Sequence, residues 1–90
     1  MDDTVLIWDL DDDPDGNVHH IAEHGLTKDE VASVFADPSQ VTEPDRGYAG
    51  RFVTKGETDT GRYVVVAWEH VDDDPLTVYP VTAFEPDPDD

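Results

Sequence analysis

The sequence contains no cysteine and very little positive charge. Without cysteine, disulfide bonds and thiolate metal sites are excluded. No apolar run approaches the ~20 residues that a membrane-spanning helix needs. The start of the chain also lacks the basic segment and apolar stretch of a secretory signal. These absences predict a soluble, cytoplasmic protein, and its 90 residues suffice for one domain with a single small core.

The charge balance is strongly acidic: five lysines and arginines face 23 aspartates and glutamates, which gives a formal net charge of −18. Seven of the acids lie in residues 1–15, three in 72–74 and four in 85–90. Two interpretations stay open. The charge fits a salt-rich cytoplasm, where the Debye length falls to ~3 Å at 1 M salt, or it forms a functional acidic surface that faces a basic partner or imitates nucleic acid. Neither interpretation favours electrostatic binding of nucleic acid, because binding to phosphates needs clustered lysines and arginines.

Local signals predict two helices near the start of the chain. The first is expected over 17–24, where Gly25 provides the stop. The second is expected over 28–36, because Thr27 and Glu30 form a capping box and Pro38 ends the helix.

The strands are predicted over 4–8, 51–56, 62–70 and 76–84, with a short extended piece at 40–42. Residues 63–68 are apolar on both faces, which favours a central strand. Pro80 cannot donate to a ladder and is expected at an edge or a bulge. The order predicts an α+β fold, a single domain over 1–85 with two helices on one face of a sheet of about four strands. A disordered acidic tail is expected over 86–90.

Two patterns resemble metal sites. His20 and His24 are four residues apart on one helix face, and Glu23, Glu69 or His70 could supply a third ligand. The alternative is a solvated polar face.

The second pattern is the front half of a calcium loop, formed by Asp11, Asp13, Asp15 and Gly16. Its twelfth position is Ala22 instead of a bidentate glutamate, so a solvated acidic turn is the alternative. Trp8 and Trp68 lie in apolar strands and are predicted to be core residues.

A third group of residues suggests phosphodiester chemistry. Arg51 and Lys55 share one predicted strand, and His24 ends the first helix. Two cations can hold and neutralise a phosphate while a histidine acts as acid or base. The alternative is that the cations pair with the abundant carboxylates.

Several segments together resemble the BrnT-like toxins of type II toxin–antitoxin systems, over roughly residues 5–85. They are Ile7-Trp8-Asp9, Asn17, Glu23-His24-Gly25-Leu26-Thr27, Glu30-Val31, Val34-Phe35-Ala36-Asp37-Pro38, Arg51-Phe52-Val53-Thr54-Lys55-Gly56 and Gly61-Arg62-Tyr63-Val64-Val65-Val66-Ala67-Trp68-Glu69. The resemblance implies a RelE-like ribonuclease fold, metal-independent and cofactor-free cleavage of RNA, and neutralisation by a cognate antitoxin.

Carried over to this chain, His24 and Arg51 match the family's motif and Lys55 lies in the same strand. The resemblance implies that His24 is the general acid/base and that Arg51 and Lys55 hold the phosphate. The chain departs from the family in three places: Glu23 replaces a lysine, Phe84 replaces an arginine, and acids replace an early lysine. These departures favour the alternative of a non-catalytic protein-binding module with an acidic surface on the same scaffold.

Overall fold

The computed structural model describes residues 4–86, which form two helices and one five-stranded sheet. The elements, in chain order, are β1 (Val5–Leu6), α1 (Asn17–Glu23), α2 (Lys28–Ala36), β2 (Val41–Pro44), β3 (Arg51–Glu57), β4 (Tyr63–Asp73) and β5 (Leu76–Phe84). The sheet order is β1-β5-β4-β3-β2, in which β1 is parallel to β5 and the other neighbours are antiparallel. The predicted α+β fold and element order are confirmed, although the sheet has five strands instead of about four.

Helix α2 has the predicted bounds, and α1 ends at Glu23, one residue before the predicted end. Residue Gly25, at φ +75°, follows α1 in the left-handed conformation that favours glycine. At the start of α2, the Glu30 amide donates to the Thr27 hydroxyl at 3.2 Å, and the Thr27 amide donates to the Glu30 carboxylate at 3.1 Å. This reciprocal pair is the predicted capping box. Neither helix of the described segment is long and apolar enough to cross a membrane.

The core lies between the two helices and one face of the sheet. Its buried side chains are Ile21, Leu26, Val31, Val34 and Phe35 from the helical half and Val64, Val66, Trp68, Val78 and Ala83 from the strands. The Trp68 ring packs against Phe35 and Phe52 with centroids 5.9 and 4.9 Å away, and its indole N–H donates to Thr54 at 2.8 Å. Trp8 packs against this core and is partly buried.

Four strands differ from their predicted extent, and among them β3 runs one residue further, to Glu57, while β4 covers Tyr63–Asp73 instead of 62–70. The piece expected at 40–42 is strand β2, which pairs with β3 although all four of its residues are exposed. Strand β1 covers only Val5 and Leu6. Pro80 lies in β5 where the register with β4 shifts, and β1 pairs only with the more distant Thr77 and Val78, so the missing N–H is tolerated there. Residues 87–90 of the predicted tail lie outside the described residues.

Candidate functional site

The candidate residues lie on or beside the open face of the sheet, meaning the face turned away from α1 and α2. In β3, Phe52 packs on the core, Thr54 is buried, and a Cβ at Gly56 would lie 3.2 Å from Val34 of α2. Alternate strand residues point to opposite faces. Arg51 and Lys55 therefore both project from the open face.

One transverse row of this face contains Lys55. The register pairs Lys55 with Val41 of β2 and with Val65 of β4, and Val65 pairs in turn with Phe84 of β5. We call these four residues the Lys55 row. The row carries a single charge among apolar side chains.

Arg51 is held by two neighbours. Its guanidinium donates to the Glu69 carboxylate at 3.2 Å and lies 4.2 Å from the centroid of the Tyr48 ring. Its Nε is buried and has no hydrogen-bond partner among residues 4–86. Contact with a carboxylate and an aromatic face fixes the orientation of the guanidinium.

Lys55 is also paired with a carboxylate. Its Nζ lies 3.8 Å from the Glu43 carboxylate of the edge strand β2. Both side chains are substantially exposed, so this is a solvated ion pair of the kind that contributes little to stability, typically ~0.2–1 kcal/mol.

His24 caps the C-terminal end of α1 and is exposed. Its ring centroid lies 6.3 Å from that of Phe84, with the two planes tilted by 54°. Because Phe84 is the last member of the Lys55 row, His24 lies next to one end of that row.

The structure brings Arg51 and Lys55 to one face but does not bring all three candidates to one point. Four residues along a strand separate the Arg51 and Lys55 backbones by ~13 Å, and two strand spacings separate those of Lys55 and Phe84 by ~10 Å. His24 lies beyond Phe84. Within residues 4–86, no hydrogen bond or ion pair joins any two of the three candidates. A group that transfers a proton must reach its substrate atom at hydrogen-bond distance.

Some residues of the two metal-like patterns make other contacts. Asp11 pairs with Lys28 at 3.1 Å, and the Asp13 carboxylate accepts the amide of Asp15 at 3.0 Å. His70 lies 2.6 Å from Asp73 on its own strand. In the part of the chain that the structure describes, no group of three or more histidine, aspartate and glutamate side chains is arranged to hold a metal ion.

The structure shows a polar network that the sequence alone did not indicate. The Asp9 carboxylate accepts hydrogen bonds from the Tyr79 hydroxyl at 2.5 Å and from the Asn17 amide at 3.0 Å. These two bonds lower the pKa of Asp9, and the bond to Asp9 raises the pKa of Tyr79 to about 12. In the sequence, this network is marked only by an aspartate and an asparagine that follow the first strand, because their partner Tyr79 is far away in the chain.

A second network surrounds Arg62. The guanidinium donates to Gly25 O at 2.8 Å, to Glu30 at 3.1 Å and to Glu85 at 2.6 Å. A hydrogen bond from the Thr60 hydroxyl, followed by the Thr27 amide and Arg62, lowers the pKa of the buried Glu30. Glu85 and then Glu30 raise the pKa of Arg62. Through these contacts, Arg62 connects α2 to the sheet.

The lysines and arginines named above all contact carboxylates of this chain. This pairing is what the sequence analysis gave as the alternative to a phosphate site. His24 ends the Lys55 row as an exposed histidine beside an aromatic ring. Function is therefore inferred from these residues and their geometry, because no known family model and no curated protein matches this chain.

Proposed function

We propose that this chain is a non-catalytic protein-binding module on a scaffold like that of the BrnT-like toxins, and that its acidic surface takes a basic partner protein. The observation that carries the proposal is the pairing of the cations. Four of the five lysines and arginines lie within 4.0 Å of a carboxylate of the same chain. A phosphate group would have to displace those carboxylates before it could be held.

The surplus of acids supports a basic partner. The turn that connects β1 to α1 contains Asp11, Asp12, Asp13 and Asp15, of which only Asp11 has an ion pair within the described segment. The Asp9–Asn17 bonds fix the two ends of this turn. An ordered acidic surface steers a basic protein towards it and disfavours acidic competitors such as RNA.

The test combines a cleavage assay with a binding assay on the purified protein in molar KCl. The probes are total cellular RNA and the purified product of the adjacent gene. We expect intact RNA, and binding of that product with a Kd that rises as KCl is increased. RNA cleavage that disappears in His24→Ala but persists in His19→Ala, an exposed histidine of the preceding helix α1, would overturn the proposal.

A second candidate is the endoribonuclease that the resemblance implies, with His24 as general acid/base and Arg51 and Lys55 as phosphate holders. The observation that favours it is the Lys55 row, which presents a cation, an exposed aromatic ring and the neighbouring His24 in one line. In that case His24→Ala and Arg51→Ala should each abolish cleavage. Cleavage that survives both substitutions would exclude these roles.

A further inference from the structure

We propose that the open face of the sheet is the contact surface of a homodimer. The first observation concerns residues 63–68 of the central strand β4, which are apolar on both faces while the helices cover only one of them. Its positions on the open face are Tyr63, Val65 and Ala67. A sheet that faces water on one side normally alternates apolar with polar residues. Strand β4 therefore has the pattern of a strand that is covered on both sides.

Apolar side chains on neighbouring strands extend this face. Val41 on β2 is 55% exposed, Tyr63 on β4 is 52% exposed and Phe84 on β5 is 37% exposed. Val53 and Ala67 lie between them and are half-buried. These side chains form an apolar surface that Lys55 interrupts, and Val65 beside Lys55 is already buried within the chain.

The charges on the open face favour a second copy as the occupant. The face carries the cations Arg51 and Lys55 and the carboxylates Glu43, Glu57 and Glu69, so it is nearly neutral on a chain with a net charge of −18. A two-fold interface places the same patch on both sides and needs both signs within it. A strongly basic partner would instead favour the acid-rich remainder of the molecule.

The size of the face predicts a weak dimer. Four strands and seven residues of β3 span roughly 400 Å² of flat sheet, about half of the ~800 Å² that each partner buries in a standard interface. Two chains of charge −18 also repel each other until salt screens them. We therefore expect a Kd of roughly 10⁻⁵–10⁻³ M in molar KCl and a monomer at low salt. This dimer does not depend on the proposed function, because a basic partner would meet the acids outside this face.

The experiment is sedimentation equilibrium of the full chain over micromolar to millimolar concentration in molar KCl. We expect the mass to rise from 10.0 kDa towards twice that value. The interface variants are Val41→Glu and Tyr63→Glu, which place a carboxylate on exposed positions of the face, and each should raise the Kd at least ~10-fold. The matched control is Leu10→Glu, because Leu10 is 76% exposed and lies outside the sheet. Circular dichroism confirms that each variant is folded.

Three outcomes would overturn the proposal. A wild-type protein that stays monomeric at millimolar concentration has no such dimer. Equal weakening by Leu10→Glu, or no weakening by the two interface variants, would mean that the copies meet elsewhere. Amide exchange that is slowed on β3 and β4 only after the adjacent gene's product is added would assign the face to that protein.

Discussion

Asp9 and Asn17 bind each other's backbone. The Asn17 side-chain oxygen accepts the Asp9 amide at 2.9 Å, and the Asp9 carboxylate accepts the Asn17 amide at 3.0 Å. The Asn17 side-chain amide also donates to Ile7 O and Pro80 O, both at 2.9 Å. The buried Asn17 therefore joins the segment after β1, the start of α1 and strand β5. Two residues that carry the resemblance to the toxin family thus have a structural task in this chain.

Replacing Asn17 with aspartate should destabilise the fold strongly. The substitution keeps the shape of the side chain but removes both donors, so the carbonyls of Ile7 and Pro80 would face a carboxylate. Each buried polar group left without a partner costs ~1–3 kcal/mol, and we expect a loss of ~2–4 kcal/mol in the free energy of unfolding. Urea unfolding in molar KCl measures this loss in the free energy of unfolding.

The matched control for this experiment is Glu23→Gln on the same helix. The Glu23 side chain is exposed, and its substitution should change the free energy of unfolding by no more than ~0.5 kcal/mol. If Asn17→Asp were as stable as the wild type, the side-chain amide of Asn17 would not be the group that holds the three segments together.

The bond between Asp9 and Tyr79 should be visible in a tyrosine titration. The chain has three tyrosines, and Tyr79 should titrate with a pKa of about 12 because its neutral hydroxyl donates to the Asp9 carboxylate. Asp9→Asn removes the carboxylate and should lower the pKa of Tyr79. Near-ultraviolet absorbance of the phenolate measures the change, and Tyr79→Phe identifies the step. An unchanged titration in Asp9→Asn would contradict the assignment.

The same bond links stability to pH at both ends of the range. The pKa of Tyr79 is raised from 10.0, so its contribution is present below pH ~10 and is lost as the pH rises towards 12. The pKa of Asp9 is lowered from 3.8, so its contribution is present above pH ~4 and is lost as the pH falls through the folded pKa.

The helices and the central strand were predictable because their signals are local. The capping box at Thr27 and the stop at Gly25 lie within a few residues of the helix ends that they define. Strand β2 was predicted only as a short piece, because Val41–Pro44 is exposed throughout. Its stability comes from pairing with β3, including a hydroxyl contact of 2.7 Å between Thr42 and Thr54. That contact joins residues twelve positions apart and gives no local pattern.

The candidate site was less predictable than the fold. The strand pattern correctly indicates that Arg51 and Lys55 share one face, because they are four residues apart in a strand. The position of His24 depends on how α1 packs against β5, which no local pattern contains. The same limit applies to the bond from Asn17 to Pro80, whose two residues lie 63 positions apart.

Removing Arg62 should destabilise the protein far more than removing Lys28. Arg62→Met leaves the carboxylate of Glu30, which is only 8% exposed, without its guanidinium, and it also removes the bond to Glu85. We expect a loss of ~2–4 kcal/mol. Lys28→Met breaks only an exposed pair with Asp11 and should cost less than ~1 kcal/mol.

Chemical unfolding at neutral pH in molar KCl measures both losses. The two variants are matched, since each replaces a cation by methionine and changes the net charge equally. Equal losses would show that Arg62 acts only through the overall charge and does not hold Glu30.

The net charge of −18 should make folding depend on salt. At low salt the carboxylates repel one another over ~10 Å or more, and at 1 M the screening length is only ~3 Å. If screening relieves ~1–2 kcal/mol, the Tm should rise by roughly 5–15 °C between low salt and 1 M KCl. Differential scanning calorimetry at a protein concentration below that of dimerisation measures it.

A variant with fewer acids separates screening from other effects of salt. Replacing the exposed residues Asp72, near the end of β4, and Asp74, in the β4–β5 turn, with asparagine removes two charges and should reduce the rise in Tm. Screening is nearly complete at 1 M, so the rise should also flatten above that concentration. A rise that continues linearly to 3 M and is equal in both proteins would instead reflect exclusion of salt from the protein surface. A flat response in both would contradict the interpretation of the acids as an adaptation to high salt and would favour a partner-facing role for them.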